Sequence, residues 1–151
     1  MSASKINPRI PQLLGYSGLL PALALLFGIW RWPHLTDQLA YATMLYVAAI
    51  FSFLGGLQWG LAIRGDTQTP PDTNAVMRLI VGVVPSLTAV CALLIPVFYG
   101  GICLIAGLWL LLAFEWRGRA GMGLPSWYLP LRINLTVMLS GSLAAVLWFA
   151  I

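Results

Sequence analysis

Charge is what this chain has least of. Only 8% of its 151 residues are Asp, Glu, Lys or Arg, eight basic against four acidic. A soluble domain keeps its surface wet with about 25% charged residues, so a soluble globular fold is excluded. A disordered chain is excluded as well, because such chains are poor in apolar residues and this one is 60% hydrophobic. Histidine is reduced to His34, in Arg31-Trp32-Pro33-His34-Leu35-Thr36-Asp37. The two cysteines, Cys91 and Cys103, stand inside apolar runs without a CxxC spacing or a histidine partner, which removes zinc and redox motifs. No paired carboxylates, Ser–His arrangement or glycine-rich phosphate loop can be drawn. The expectation is a protein that is not an enzyme and holds no metal or cofactor. His34 and Asp37 would meet on one helical turn, yet Asp37 equally suits the first turn of the helix that follows. The small net charge of +4 argues orientation in a membrane and no nucleic-acid partner.

What is present is apolar sequence in lengths suited to hydrocarbon. A spanning helix needs about 20 mostly apolar residues, because its backbone must satisfy its own hydrogen bonds there. Five stretches qualify, over 13–30, 39–63, 79–97, 99–116 and 133–151. The predicted fold is all-α: a polytopic membrane protein, a five-helix transmembrane bundle forming one domain over 1–151. The third and fourth spans nearly touch, which predicts an antiparallel hairpin turning around 98–101, after Pro96. A signal peptide is the alternative for the first span. Lys5 and Arg9 precede the apolar run, and Ala22-Leu23-Ala24 has small-x-small character. The run continues to Trp30 beyond that site, which argues for a retained span. Lys5, Arg9, Arg64, Arg78, Arg117, Arg119 and Arg132 fall on one side of the membrane and only Arg31 on the other. The positive-inside rule then predicts a cytoplasmic amino terminus and a periplasmic carboxyl terminus. Without an Arg- and Ser-rich presequence, the expected location is a bacterial inner membrane.

In lipid, helices associate through small residues that let backbones approach. In the second span Ala48, Ser52, Gly56 and Gly60 recur every four residues. They predict a packing stripe inside the bundle, with dimerisation through Gly56-x-x-x-Gly60 as the alternative. Gln58 and Trp59 would also point into protein, leaving Val47, Ile50, Phe53, Leu54, Leu57 and Leu61 to lipid. In the fifth span Asn134, Met138, Gly141 and Ala145 predict the packing side. Pro21 and Pro85 each remove a backbone donor and crowd the carbonyl four residues back, at Ser17 and Val81. Each predicts a kink, or a hinge with an exposed carbonyl.

The ends of spans two and four and the starts of spans three and five share the cytoplasmic side. They bring together Gln58, Trp59, Arg64, Arg78, Glu115, Trp116, Arg117, Arg132 and Asn134. Glu115 is the only acid near the hydrocarbon boundary, and desolvation should drive it to Arg64, Arg78 or Arg132. Gln58 and Asn134 need partners, either each other or a ligand above them. The loop over 123–130 sets Trp127 and Tyr128 between two prolines and is too apolar for a free linker, so it predicts an interfacial segment or a lid. Trp116, Trp127 and Tyr128 also suit ordinary anchoring at the interface. The sequon Asn134-Leu135-Thr136 has no meaning at a cytoplasmic helix end. The leading expectation is a pocket in the cytoplasmic half, built from Gln58, Trp59, Glu115, Trp116, Trp127, Tyr128 and Asn134. It would hold an apolar or amphipathic molecule such as a porphyrin, a quinone or a lipid. The alternative is a non-catalytic accessory or assembly subunit, using the glycine stripe on a partner membrane protein or a second copy.

Three segments carry a resemblance: Gly15-Tyr16-Ser17-Gly18-Leu19-Leu20-Pro21, Phe51-Ser52-Phe53-Leu54-Gly55-Gly56-Leu57-Gln58-Trp59-Gly60, and Leu124-Pro125-Ser126-Trp127-Tyr128-Leu129-Pro130-Leu131-Arg132-Ile133-Asn134-Leu135-Thr136. Over nearly its whole length the chain resembles the small five-span bacterial family of unknown function that includes the mitochondrial transmembrane protein 69. The Gly-Gly-x-Gln-Trp-Gly and Pro-Ser-Trp-Tyr segments are the most specific parts. The resemblance implies an inner-membrane protein of five spans and implies no activity. In architecture the chain is also similar to the translocator protein (tryptophan-rich sensory protein) family, which has five helices and many tryptophans and binds porphyrins and lipids. Seven tryptophans stand here. In that family the aromatic, proline-rich loop follows the first helix, whereas here it precedes the fifth, and only Trp30-Arg31-Trp32-Pro33 occupies the first place.

Overall fold

The computed structural model describes residues 9–63, 73–119 and 125–150. Its helices are α1 (Arg9–Ser17), α2 (Leu20–Arg31), α3 (Thr36–Ile63), α4 (Thr73–Leu93), α5 (Val97–Gly118) and α6 (Tyr128–Phe149), with a 3-10 turn at Pro33–Leu35 before α3. Together α1 and α2 make the first of five helical segments long and apolar enough to cross a membrane, and α3 to α6 supply the rest. The described residues contain no strand, so the all-α, five-span expectation holds. Lys5, Arg64, Gly123, Leu124 and Ile151, which entered the sequence argument, lie outside the described residues.

Element boundaries differ from the expected ones for local reasons. The first span is broken in two. Pro21 is the second residue of α2 and offers no N–H to the Ser17 carbonyl, and the helix turns at Gly18 and Leu19 instead of bending smoothly. There the Gly18 amide donates to the Leu14 and Gly15 carbonyls (3.3 and 3.2 Å) and the Leu19 amide to Tyr16 (3.0 Å). The Gly18 carbonyl accepts the Tyr46 hydroxyl from α3, which ties the break to the bundle. The α4–α5 hairpin turns at 94–96, ahead of the expected 98–101, because Pro96 takes an extended ψ of 141° and caps α5. The last span starts at Tyr128 and not at 133. Pro130 lies in its first turn, where an amide would have no intrahelical partner anyway. Trp127 and Tyr128 therefore open a helix and do not form a lid.

α3 occupies the middle of the bundle, in contact with α2, α4, α5 and α6. Its buried positions include Met44, Val47, Phe51 and Leu54, a 3-4-3 spacing that keeps one face toward protein. They meet Leu104, Leu108 and Leu111 of α5, Leu139, Leu143 and Leu147 of α6, and Ala89 and Ala92 of α4 in one core. The outer faces carry large apolar side chains such as Leu13, Trp30, Leu94 and Trp148, as a lipid-facing surface does.

The expected small-residue stripe of α3 does not stay inside. Ala48 is buried and Ser52 half-buried, but Gly56 and Gly60 are exposed, and a Cβ at either would meet nothing within 4 Å. The reason is geometric. At 3.6 residues per turn a strict repeat of four drifts by about 40° per step, so by Gly60 it has left the face on which Ala48 sits. Val47 and Leu54, expected in lipid, are buried instead. The close approach runs through the neighbouring glycine. A Cβ on Gly55 would lie 2.5 Å from the Gly82 carbonyl oxygen of α4, and one on Gly82 would lie 2.4 Å from the Trp59 ring. The expected packing stripe of α6 keeps one face by its 4-3-4 spacing, but that face points outward: Asn134, Met138 and Gly141 are exposed, Ala145 is half-buried, and the buried line passes through Leu139, Leu143 and Val146.

Alanine substitutions should separate the two glycine pairs. Gly55→Ala and Gly82→Ala overpack a backbone crossing and should each destabilise by about 1–3 kcal/mol. Gly56→Ala and Gly60→Ala gain helix propensity and should stabilise by up to about 1 kcal/mol. Thermal unfolding of the purified protein in detergent reads both, and losses of equal size in the two pairs would contradict this packing.

Candidate functional site

Three apolar stripes end at the same end of the bundle, each in a polar side chain. On α3 the line Val47, Phe51, Leu54 continues to Gln58; on α5 the line Leu104, Leu108, Leu111 continues to Glu115; on α6 the line Leu143, Leu139, Thr136 runs back to Arg132. All three polar residues therefore keep the core register of their helices. Gln58 and Glu115 have no exposed surface and Arg132 retains 3%.

Glu115 is the hub. Arg132 grips it with two nitrogens, Nε donating to Oε2 at 2.9 Å and Nη2 to Oε1 at 3.2 Å. Gln58 Nε2 donates to Oε1 at 2.7 Å, and the Tyr128 hydroxyl stands 3.4 Å from the same oxygen. A carboxylate is acceptor-only when ionised, so Gln58 must turn its amide nitrogen inward. Of the three arginines expected to compete for Glu115, Arg132 holds it, while Arg64 lies outside the described residues. Four buried polar atoms have no partner among the described residues: Arg132 Nη1, Gln58 Oε1, Thr136 Oγ1 and Ser140 Oγ.

The remaining expected site residues are dispersed. Asn134 is exposed and bonds not Gln58 but the Tyr16 hydroxyl of α1, at 2.9 Å. Trp59 is half-exposed and donates its indole N–H to the Leu79 carbonyl at 3.0 Å. Trp116 is also half-exposed, with the Arg119 guanidinium carbon 4.4 Å from its ring centre. Trp127 is partly buried beside Tyr128, their ring centres 6.2 Å apart. The expected pocket above Gln58 is thus filled by Glu115 and Arg132, and the two tryptophans expected as its walls face outward.

A cleft lies instead beside Arg132. It holds about 240 Å³ between the α1–α2 break, α3 and α6, and is walled by Leu14, Leu19, Ile50, Phe53, Leu139 and Arg132 among others. Leu14 and Phe53 are mostly exposed, so the cleft opens toward the surrounding hydrocarbon. Tyr46, also in its wall, was not singled out in the sequence, and neither were Tyr16, Thr136 and Ser140. Thr136 was legible, being four residues after Arg132 in the same register, whereas Tyr16 and Tyr46 are legible only from the broken first span. A second groove of about 380 Å³ between α4 and α5, lined by Val84, Pro85, Cys103 and Phe114 among others, is almost wholly apolar.

Breaking a buried pair leaves an uncompensated charge, which costs about 3–5 kcal/mol, whereas replacing both members by apolar groups is often neutral. Arg132→Met and Glu115→Leu should each lower the unfolding temperature strongly in detergent, and the double variant should regain most of the loss. A double variant as unstable as the sum of the singles would contradict the pairing.

Comparison with known proteins fits a membrane protein. Transmembrane protein 69 of Xenopus tropicalis is 33% identical over 151 residues, a match that covers 97% of this chain and 57% of the relative. The chain thus spans little more than half the length of that curated relative. No solved structure matches. The model of the family described as "Protein of unknown function (DUF3429)" matches residues 7–148. With that match running over nearly its whole length, the chain is a membrane protein belonging to the DUF3429 family.

Proposed function

We propose that this protein binds a lipid-soluble, amphipathic small molecule in the cleft beside Arg132, without catalysing a reaction on it. One observation carries the reading. Arg132 is almost wholly buried and forms part of an apolar cleft wall, and one of its guanidinium nitrogens has no partner among the described residues. An ionisable side chain kept inside a membrane bundle is expensive to hold there and marks a functional site more often than not. A binding site for a small molecule is mostly apolar with a few fixed polar groups, and this cleft has that make-up. The bias of basic residues supports a cytoplasmic placement of the same end of the bundle, so the ligand would enter sideways from the cytoplasmic half of the bilayer.

A second reading, an accessory subunit of a membrane complex, draws on a different feature. Gly56 and Gly60 form an outward GxxxG with open space in front of each Cα, the arrangement that lets another helix approach closely.

Ile50→Trp adds bulk to the cleft wall without touching the charged pair. Mass spectrometry of organic extracts from purified wild type should find a lipid-soluble molecule retained near one per chain, and the variant should lose at least about nine-tenths of it while unfolding at a similar temperature. Equal retention in the two proteins would remove the cleft as the binding site.

A further inference from the structure

We infer that the groove between α4 and α5 holds an acyl chain of an anionic phospholipid, whose phosphate rests between Arg78 and Arg117. This site shares no lining residue with the cleft beside Arg132 and does not depend on the reading given for it.

The groove faces hydrocarbon. Its α4 wall follows Val81, Pro85 and Thr88, and its α5 wall follows Gly107, Leu110 and Phe114. Leu110 is mostly exposed, so the groove is open to the bilayer. Phe51 of α3 closes its floor: a Cβ on Gly107 would lie 2.6 Å from the Phe51 ring, and glycine leaves that ring its place. The volume of about 380 Å³ falls within the roughly 300–1,000 Å³ of ordinary ligand sites. Along α5 the lining reaches from Cys103 to Phe114, roughly 16 Å at helical rise. That is about half of a hydrocarbon core some ~30 Å thick. A trough of one leaflet's depth, nearly free of polar groups, suits an extended hydrocarbon chain.

The head group follows from where the two walls end. Arg78 precedes Val81 by three residues and Arg117 follows Phe114 by three, a spacing that keeps one helix face. Each wall therefore continues into an arginine. The two helices run antiparallel, with Gly100 packed against the Ala92 carbonyl. Counted from there at helical rise, Arg78 lies roughly 21 Å and Arg117 roughly 26 Å along, at the same end of the bundle. Arg78 is half-buried and Arg117 exposed, and neither has a hydrogen-bond or ion-pair partner among the described residues. Of the described acids, Glu115 is held by Arg132, and Asp37 opens α3 at the opposite end. Two uncompensated positive charges at the mouth of a chain-sized trough call for an anion attached to a chain. Guanidinium matches phosphate oxygens in geometry and charge, and basic pockets between membrane helices take anionic head groups. A zwitterionic head group would bring its own cation to the two arginines, so the net-negative lipid is favoured.

The test uses the full chain in a neutral detergent and native mass spectrometry during titration with dioleoylphosphatidylglycerol or dioleoylphosphatidylcholine. Glycerol phosphate serves as a chain-free competitor. Wild type should bind phosphatidylglycerol at least about tenfold more tightly than phosphatidylcholine, and excess glycerol phosphate should not displace it. Ala106→Trp fills the groove from an exposed position and should abolish that binding. Val84→Trp fills it from α4 and replaces the first variant if that one fails to fold. The double variant Arg78→Gln with Arg117→Gln should keep the fold and lose the preference, binding the two lipids within about twofold of each other. Equal affinity for the two lipids in wild type would overturn the inference, as would a preference that survives the tryptophan or the glutamine substitutions. Displacement by glycerol phosphate would also overturn it, by reducing the site to one for a free anion. A wild-type dimer that Ala106→Trp dissociates would overturn it too, by making a second copy the occupant of the groove.

Discussion

Glu115 and Arg132 meet where neither reaches water, and much of this end of the bundle follows from that. A lone carboxylate in such surroundings is very costly to hold ionised, so each charge is tolerable only because the other stands 2.9 Å away. The pair fixes the rotation of α5 against α6, since both residues must project into the same gap. Gln58 adds α3 to the arrangement through its bond to Glu115, and the early start of α6 brings the Tyr128 hydroxyl to the same carboxylate. Four side chains from three helices thereby specify one geometry. A uniform leucine core would be less selective about helix rotation.

The same pair shapes the neighbouring cleft. Arg132 faces Glu115 with one edge of its guanidinium and also forms part of a wall made by the α1–α2 break, α3 and α6. The break matters here. The Gly18 carbonyl at the break accepts the Tyr46 hydroxyl, and Gly15, Gly18 and Leu19 line the cleft. Glycines of the broken first span, Tyr46 and Arg132, far apart in sequence, thus bound one small and mostly apolar volume.

The five spans were legible because continuous apolar length is a direct consequence of bilayer thickness. Glu115 and its need for an arginine were legible for a similar reason: one acid near hydrocarbon must find a partner. The choice among Arg64, Arg78 and Arg132 was not, since it depends on how helices rotate. The register held the answer in part. Glu115 continues the line of Leu104, Leu108 and Leu111, and Arg132 heads the line of Thr136, Leu139 and Leu143, so both are core positions by spacing. The small-residue stripe of α3 misled because a repeat of four winds around a real helix, and that of α6, whose 4-3-4 spacing does keep one face, misled because small residues alone do not say which face meets protein. Gly55, one residue from the visible motif, makes the close contact with Gly82, and no local pattern distinguishes it from Gly56. Asn134 and Trp59 were grouped with the site by depth alone, and depth says nothing about the side of a helix on which a residue stands.

The central claim is that a neutralised charge pair lies buried in the bundle, and the protonation of Glu115 tests it most directly. Infrared difference spectra of wild type against Glu115→Gln, recorded in lipid at neutral pH, separate an ionised carboxylate from a protonated acid by their distinct stretching bands. The account predicts that the substitution removes carboxylate bands and no protonated-acid band. Loss of a protonated carboxylic acid band instead would mean that Arg132 carries an uncompensated charge, and it would contradict the pairing.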